Sequence, residues 1–364
     1  MDEFKKLYGW PATTEARAAG RVNLIGEHTD YNGGFVLPTL IPQHTRVQLA
    51  PRNDDRVRVA SHVLCPQPAE YVLGEEAPRH DWLDYAQGVT RILRGAGHSL
   101  QGFDALIVSD VPVGSGLSSS AALDVCLMRA LREAFHLRLG DIQIAGLCQR
   151  VENEFVGAQV GIMDPMVCSV GREGYALFID ARSLDHELVP LPKDADLIVI
   201  NSGVAHRNSA GDYNTRRAEC ERAAKLLGVE KLRDMTVNDL PRITKLPYPF
   251  DRRARHVVAE NARVQSAVAA LRAGDLHRLG DLFNSSHDSQ RDDYEVSIPE
   301  IDLLVELARQ DDRVYGARLT GGGFGGSIVL LTEFGSGRSV AGAVVSKYAS
   351  KSKSRATILV PPPE

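Results

Sequence analysis

Four stretches of this sequence carry residues whose types and spacing could do chemistry. The first is Val111–Ala122, VPVGSGLSSSAA. Gly114, Ser115 and Gly116 leave the backbone open to an approaching anion, Leu117 follows, and Ser118, Ser119 and Ser120 add three hydroxyls. A glycine turn that feeds a helix gathers unpaired N–H groups and the positive end of a helix dipole at one point, which suits phosphate. Taken alone, such a turn is equally a tight connection into a helix, and no Gly-Lys-Ser/Thr of a Walker A loop follows it. The second stretch is GRVNLIGEHTDYNGGFVLP, Gly20–Pro38, where Arg21, Glu27, His28 and Asp30 crowd together. Carboxylates accept hydrogen bonds from hydroxyls and imidazole accepts or donates, so the cluster reads as a polyol site or as a solvated loop. The third is an acid pair twelve residues apart, Glu152 and Asp164. Asp164 is an isolated carboxylate among Ile162, Met163 and Met166. It suits a helix N-cap, with Pro165 at the first helical position, and it suits a general base; the roles are compatible. The fourth is ARLTGGGFGGSIVLL, a second glycine turn ahead of an apolar strand.

The elements around these stretches follow from periodicity. A short helical lead-in and a strand occupy Phe4–Ala19, and strands are expected within Thr45–Leu73. Asp81–Leu93 has helical spacing, with Trp82, Tyr85, Val89 and Leu93 near one face, a pattern of core packing. Gly102–Ser109 is a strand running into the first glycine turn, and Leu123, Val125, Leu127 and Met128 belong to the helix leaving it, which is the setting a phosphate loop needs. Asp141–Val156 reads as one helix that buries Leu147, Val151 and Phe155, with Glu152 three turns into it. A polar, proline-containing link at 185–195 suggests a division into 1–190 and 191–364. Beyond it come a strand from Leu197, a charged helix through Ala210–Gly228, a proline-broken loop at Lys245–Arg253, a helix over Ala254–Leu279 and a terminal strand ATILV.

Composition narrows the class. A chain of 364 residues buries a sizeable core and suggests about two domains. A net charge of −5 gives no electrostatic reason to expect nucleic acid. No apolar run approaches the ~20 residues of a membrane span, and the charged start MDEFKKLYGW lacks a signal-peptide core. Five scattered cysteines without a CxxC pair fit reduced thiols in a cytoplasmic protein. The partners expected are small molecules, with neither nucleic acid nor membrane, acting on a monomer.

Read together, the stretches resemble the GHMP kinases, the family of galactokinase and of homoserine, mevalonate and phosphomevalonate kinases. The family motif PxxxGLxSSAA stands here as PVGSGLSSSAA, and its GGGFGG-like loop as Gly321–Gly326. The galactokinase branch adds GRVNLIGEHTDYN, here Gly20–Asn32, a GIMDQ-like segment, here GIMDP, and RDDYEVS, here Arg291–Ser297. The resemblance covers nearly the whole chain, in order. It implies an α+β fold of two domains, an N-terminal α/β domain and a C-terminal ferredoxin-like domain, with the active site between them. It implies transfer of the ATP γ-phosphoryl to the anomeric hydroxyl of galactose, in galactose metabolism, with Mg²⁺. Gly114–Ser120 would wrap the ATP phosphates, and Ser119 or Ser120 would bind Mg²⁺ with Glu152. Asp164 would take the sugar proton beside Arg21. Glu27, His28, Asp30, Gly161 and Tyr213 would hold the sugar, with Glu27 repelling a uronic acid and Asp30 reading the axial hydroxyl. Trp82 and Tyr85 resemble the family's adenine-side aromatics, although core packing explains them as well.

Three positions depart from the galactokinase pattern: Ala19 for proline, Asp124 for glutamate and Pro165 for glutamine. Pro165 removes an amide beside the chemistry, which keeps N-acetylgalactosamine and arabinose open as substrates. A non-catalytic galactose sensor is the other alternative. Sensors lose residues within GLSSSAA, which is intact here.

Overall fold

The computed structural model describes residues 3–204 and 209–361. The chain forms two compact units, neither continuous in sequence: 1–20, 43–113 and 118–170 make the first, and 21–42, 114–117 and 171–364 the second. The division at residue 190 rests on the polar, proline-containing link at 185–195, and the compact units do not coincide with it.

In the first unit, Thr45–Pro51 runs antiparallel to Phe103–Ser109, which runs parallel to Val57–Ser61. The strand Arg56–Ser61 turns back antiparallel into Cys65–Val72. Apolar side chains at Val47, Leu49, Val57, Val59, Ala105 and Leu106 are buried. Asp104, fully buried on the central strand, is held by the Arg58 fork at 2.6 and 2.8 Å. Helices Leu83–Gly95, Ser119–Ala134, Asp141–Arg150 and Met163–Val170 pack together beside this sheet.

The expected helix Asp141–Val156 is not uniform. It is α-helical to Arg150 and then widens into one π-type turn, Val151–Val156. The wider turn resets the buried face: Ile144, Cys148, Val151 and Glu152 are buried, while Leu147 and Phe155 are only half-buried. Such turns cluster at functional sites. Gly88 permits it, since a Cβ there would stand 2.7 Å from the Val151 side chain.

The second unit contains a four-stranded antiparallel sheet of Ala195–Asn201, Val314–Thr320, Ser327–Glu333 and Thr357–Val360. Numbered along the chain, their order across the sheet is second, third, first, fourth. With helices between the first pair and the last pair, this is the ferredoxin-like arrangement. The stretch Ala254–Leu279 is two helices rather than one, Phe250–Ala273 and Leu276–Asp292. Gly274, in a left-handed conformation with φ +69°, ends the first of them. The second lies so close to strand Val314–Thr320 that a Cβ on Gly280 would meet the Tyr315 carbonyl at 2.1 Å. Among the described residues no helix is long and apolar enough to cross a membrane.

Candidate active site

The first glycine loop gains its shape from left-handed residues at Gly114, Gly116 and Ser118, with φ of +72°, +78° and +61°. A Cβ at Gly114 would meet nothing within 4 Å, so that backbone faces open space. Helix Ser119–Ala134 starts directly after Ser118. Its first-turn N–H groups have no intrahelical partners, as an anion site requires.

The three serines have different tasks. Ser118 donates its hydroxyl to Asp164 Oδ2 at 2.5 Å. Ser120 donates to Glu152 Oε1 at 3.0 Å. Ser119 and Ser120 line an apolar cavity of about 450 Å³ with Val63, Leu64, Trp82 and Tyr85. The core reading of Trp82 and Tyr85 therefore gives way. The helix begins at Leu83, whose side chain, with Ala86, Val89 and Leu93, forms the buried face, and the two aromatics are left half-buried at the cavity.

Asp164 is not an N-cap. Its helix begins one residue earlier, at Met163, and the Met166 amide bonds back to Ile162. The carboxylate is thus released from capping and meets the Ser118 hydroxyl. Gly161 is buried two residues before the helix.

Glu152 is 5 % exposed on the π-type turn. One helical turn beyond Ser120, Asp124 is fully buried with no partner on either oxygen. Burial, and then the charge of Glu152, hold its carboxyl well above the usual carboxylate range. Hydroxyl and carboxylate oxygens side by side are the hard donors that Mg²⁺ takes. Among the described residues no three His, Cys, Asp or Glu side chains form a metal site by themselves, so an ion on Ser120 and Glu152 would complete its shell with phosphate and water.

In the second unit, Arg21 lies near the end of the strand Thr14–Asn23 and is 5 % exposed. Its guanidinium donates to the Gly116 carbonyl at 2.6 Å and its amide to Leu117 at 3.1 Å, so it grips the first glycine loop. The second loop reaches the same place. Ser327 donates to the Ser115 carbonyl at 2.7 Å, and a Cβ on Gly321 would lie 3.6 Å from the Gly116 carbonyl.

Glu27 is 2 % exposed and accepts from Arg318, from the Thr320 hydroxyl at 3.3 Å and from the Gly321 amide at 2.9 Å. Its carboxylate is therefore a strut for the second glycine loop. A second buried carboxylate, Glu260, accepts from the Gly26 amide at 3.0 Å, from Ser286 at 2.6 Å and from Arg263 at 2.6 Å. Burial raises its pKa, but Arg263, His256 and Arg318 outweigh burial and bring it down to about 2. Two carboxylates and two guanidiniums thus cancel in the interior, as buried charges must.

His28 is left-handed at φ +64° and 5 % exposed. Its Nδ1 lies 2.9 Å from the Tyr31 hydroxyl, and its Nε2 is buried, with the Gly322 backbone also interacting with the ring. The ring stands 5.5 Å from Tyr213, which also covers Gly322. Asp30 accepts the Tyr31 amide at 2.9 Å and lines a cavity of about 280 Å³ with Tyr31, Arg182, Glu230 and Lys231. Arg318, Glu260 and Tyr294 were not singled out by motif reasoning. The RDDYEVS segment, which contains Tyr294, and the basic residue two before TGGG were the available signals.

Comparison with known proteins agrees with this geometry. Residues 2–51 match the galactokinase galactose-binding signature, 84–172 the GHMP kinase N-terminal domain and 267–350 the GHMP kinase C-terminal domain. The structure is similar to Lactococcus lactis galactokinase complexed with galactose: TM-score 0.94, 33 % identity, covering 98 % of this chain and 95 % of that one. Methanococcus jannaschii mevalonate kinase matches with a TM-score of 0.69 at 17 % identity, over 96 % of this chain and 98 % of that one. Streptococcus pneumoniae phosphomevalonate kinase, in complex with phosphomevalonate and AMPPNP, gives 0.67 at 15 %, over 92 % and 96 %. These last two share the fold. Galactose-binding signature, both kinase domains and the full-length match converge, and the chain belongs to the galactokinases of the GHMP kinase family.

Proposed function

We propose that this protein transfers the γ-phosphoryl group of ATP to the anomeric hydroxyl of galactose, giving galactose 1-phosphate and ADP. One observation carries the reading: the Ser118–Asp164 hydrogen bond sets a carboxylate at the foot of the glycine loop, where a phosphoryl group would arrive. Asp164 takes the proton of the anomeric hydroxyl as that oxygen bonds to the γ-phosphorus and the bond to the β,γ-bridging oxygen breaks. Such transfer depends mainly on positioning and on charge stabilisation. Backbone N–H groups from Gly114 to Ser120 hold the phosphates, and Arg21 braces the loop from the Gly116 carbonyl. The 450 Å³ cavity with Trp82 and Tyr85 takes the adenine. Ser120 and Glu152 would hold Mg²⁺, which would supply positive charge toward the phosphate oxygens.

His28, Asp30, Gly161 and Tyr213 hold the sugar, together with the lone pairs of Glu27 that its protein donors leave. The enzyme works in the cytoplasm as a monomer, with 1–190 carrying the sugar signature and phosphate loop and 191–364 the closing loop. The test is an ADP-release assay with Mg-ATP and a panel of galactose, glucose, N-acetylgalactosamine, arabinose and galacturonate. Galactose should turn over, and glucose and galacturonate should not. Galactose binding without turnover at saturating substrate would overturn the proposal in favour of a sensor, and faster turnover of N-acetylgalactosamine or arabinose would reassign the sugar.

A further inference from the structure

Within the second unit a line of hydrogen-bonding groups runs behind His28, and phosphoryl transfer makes no use of it. His28 Nδ1 is 2.9 Å from the Tyr31 hydroxyl. That hydroxyl is 2.7 Å from the hydroxyl of Tyr294, which is 3.0 Å from the sulfur of Cys220. Tyr294 and Cys220 are 0 % and 1 % exposed. The rings are held in place: His28 stacks on Tyr294 at 4.6 Å, and Tyr294 on His256 at 4.4 Å.

Each phenol and the thiol have one proton to donate, so the chain has two directions. In one, Cys220 donates to Tyr294, Tyr294 to Tyr31 and Tyr31 to Nδ1; the imidazole then carries its proton on Nε2. In the other every bond is reversed, Nδ1 carries the proton and Nε2 is a bare acceptor. Chemistry separates them. A neutral imidazole nitrogen is the strongest acceptor in the line, and sulfur is the weakest acceptor. The first direction gives a phenol proton to the imidazole. The second gives a phenol proton to sulfur and leaves the imidazole without a donor. Bonds in such a chain polarise one another in the same sense, which widens the gap. Burial, with the charges of His256 and Arg216, pushes the pKa of His28 down to about 3, so the ring stays neutral and its tautomer decides what it offers.

We propose that Tyr31 and Tyr294 are positioning residues that fix His28 as the Nε2–H tautomer, so that it presents a hydrogen-bond donor to an oxygen of the sugar. This rests on the reading of His28 as a sugar ligand. It commits the site to a ligand group that can accept: a hydroxyl fits, and an ammonium group, which only donates, does not. The test uses the full chain labelled with ¹⁵N-histidine, observed by two-bond ¹H–¹⁵N correlation with and without galactose. His28 should show a protonated Nε2 and an acceptor Nδ1. Tyr31→Phe and Tyr294→Phe each keep the ring and remove one hydroxyl. Each should shift His28 toward a mixture of tautomers and raise the KM for galactose by about 3- to 10-fold, the loss of one hydrogen bond. The KM for ATP should stay within about twofold, because these side chains only orient His28. Protonation at Nδ1 in the unsubstituted protein, which needs no variant to fold, overturns the proposal. So does a tautomer that neither substitution moves. If galactose shifts no His28 signal while the enzyme turns over, the reading of His28 as a ligand fails instead.

Discussion

Asp164 accepts the Ser118 hydroxyl on Oδ2, and in the proposed reaction its carboxylate takes the sugar proton. Asparagine can still accept from Ser118 but cannot take that proton. Asp164→Asn should lower kcat by about 10²–10⁴-fold with galactose affinity retained, as read by ADP release and by calorimetric titration. Turnover near the parent rate would remove Asp164 from the role. Arg318 has no such link to chemistry, yet its loss should be costly. Arg318→Met strands Glu27 as an uncompensated buried charge, and should reduce unfolding free energy by about 3–5 kcal/mol in urea titrations. A change below about 1 kcal/mol would mean that the pair is not buried in solution. Residue chemistry was legible where it is local. Glu27, His28 and Asp30 stand within four positions and declare themselves by type. Arg318 and Tyr294 did not, because the groups that give them meaning lie 291 and 263 residues away.

At the scale of elements, the second glycine loop is shaped by what a side chain would strike. A Cβ on Gly323 would lie 2.5 Å from Val296, while the Phe324 amide bonds the Val296 carbonyl at 2.6 Å. Gly323 also has φ +85°. Gly323→Ala should therefore lower stability by roughly 1–3 kcal/mol, seen as a lower urea midpoint. An unchanged midpoint would show that the loop has room to move. The apolar cavity makes a separate prediction. Trp82→Ala should raise the KM for ATP by roughly 10-fold and leave the KM for galactose alone. Equal effects on both would place Trp82 outside a nucleotide site. Periodicity predicted the helix that carries Glu152 but not its change of pitch at Val151. Over a single turn the two helix types place apolar residues almost alike, and the close approach permitted by Gly88 is a tertiary fact. The N-cap reading of Asp164 failed for a related reason. A helix boundary shifted by one residue is invisible to local pattern, yet it decides whether a carboxylate caps its helix or bonds elsewhere, as Asp164 bonds Ser118.

For the whole molecule, buried titratable groups set an acid limit. Burial is the main cause that holds His28 at about 3 and His256 at about 4, both below the ordinary histidine value of 6.5. Glu260 is held at about 2, below its ordinary 4.5, where Arg263, His256 and Arg318 outweigh burial. In all three the folded value is depressed. The unfolded chain therefore takes up protons first as pH falls. The histidine contributions are complete above pH 6.5 and are lost as pH falls toward 4 and then 3; that of Glu260 is complete above 4.5 and lost toward 2. Thermal midpoints should fall steadily on acidification from about pH 6.5. The fall should be shallower between pH 6.5 and 4 in His256→Gln, whose side chain can still bond Ser289 and the Glu27 carbonyl. A flat profile in that window would mean that these histidines are accessible to protons. The α+β class and the ferredoxin-like sheet were readable from the order of motifs. The interleaving of the units was not, because periodicity locates an element without saying which neighbours it keeps. Thus 21–42 and 114–117 belong with 171–364.

The Glu27–Arg318 pair also sets a schedule for synthesis. The ribosome delivers the carboxylate 291 residues before the guanidinium that neutralises it. At ordinary elongation rates of about 5–20 residues per second, that interval is roughly 15–60 s. Throughout it the nascent segment around Glu27 has its buried carboxylate position uncompensated. The segment that matches the galactose-binding signature is therefore made early and gains this ion pair only when Arg318 emerges, and the interval is a window for chaperone binding during translation.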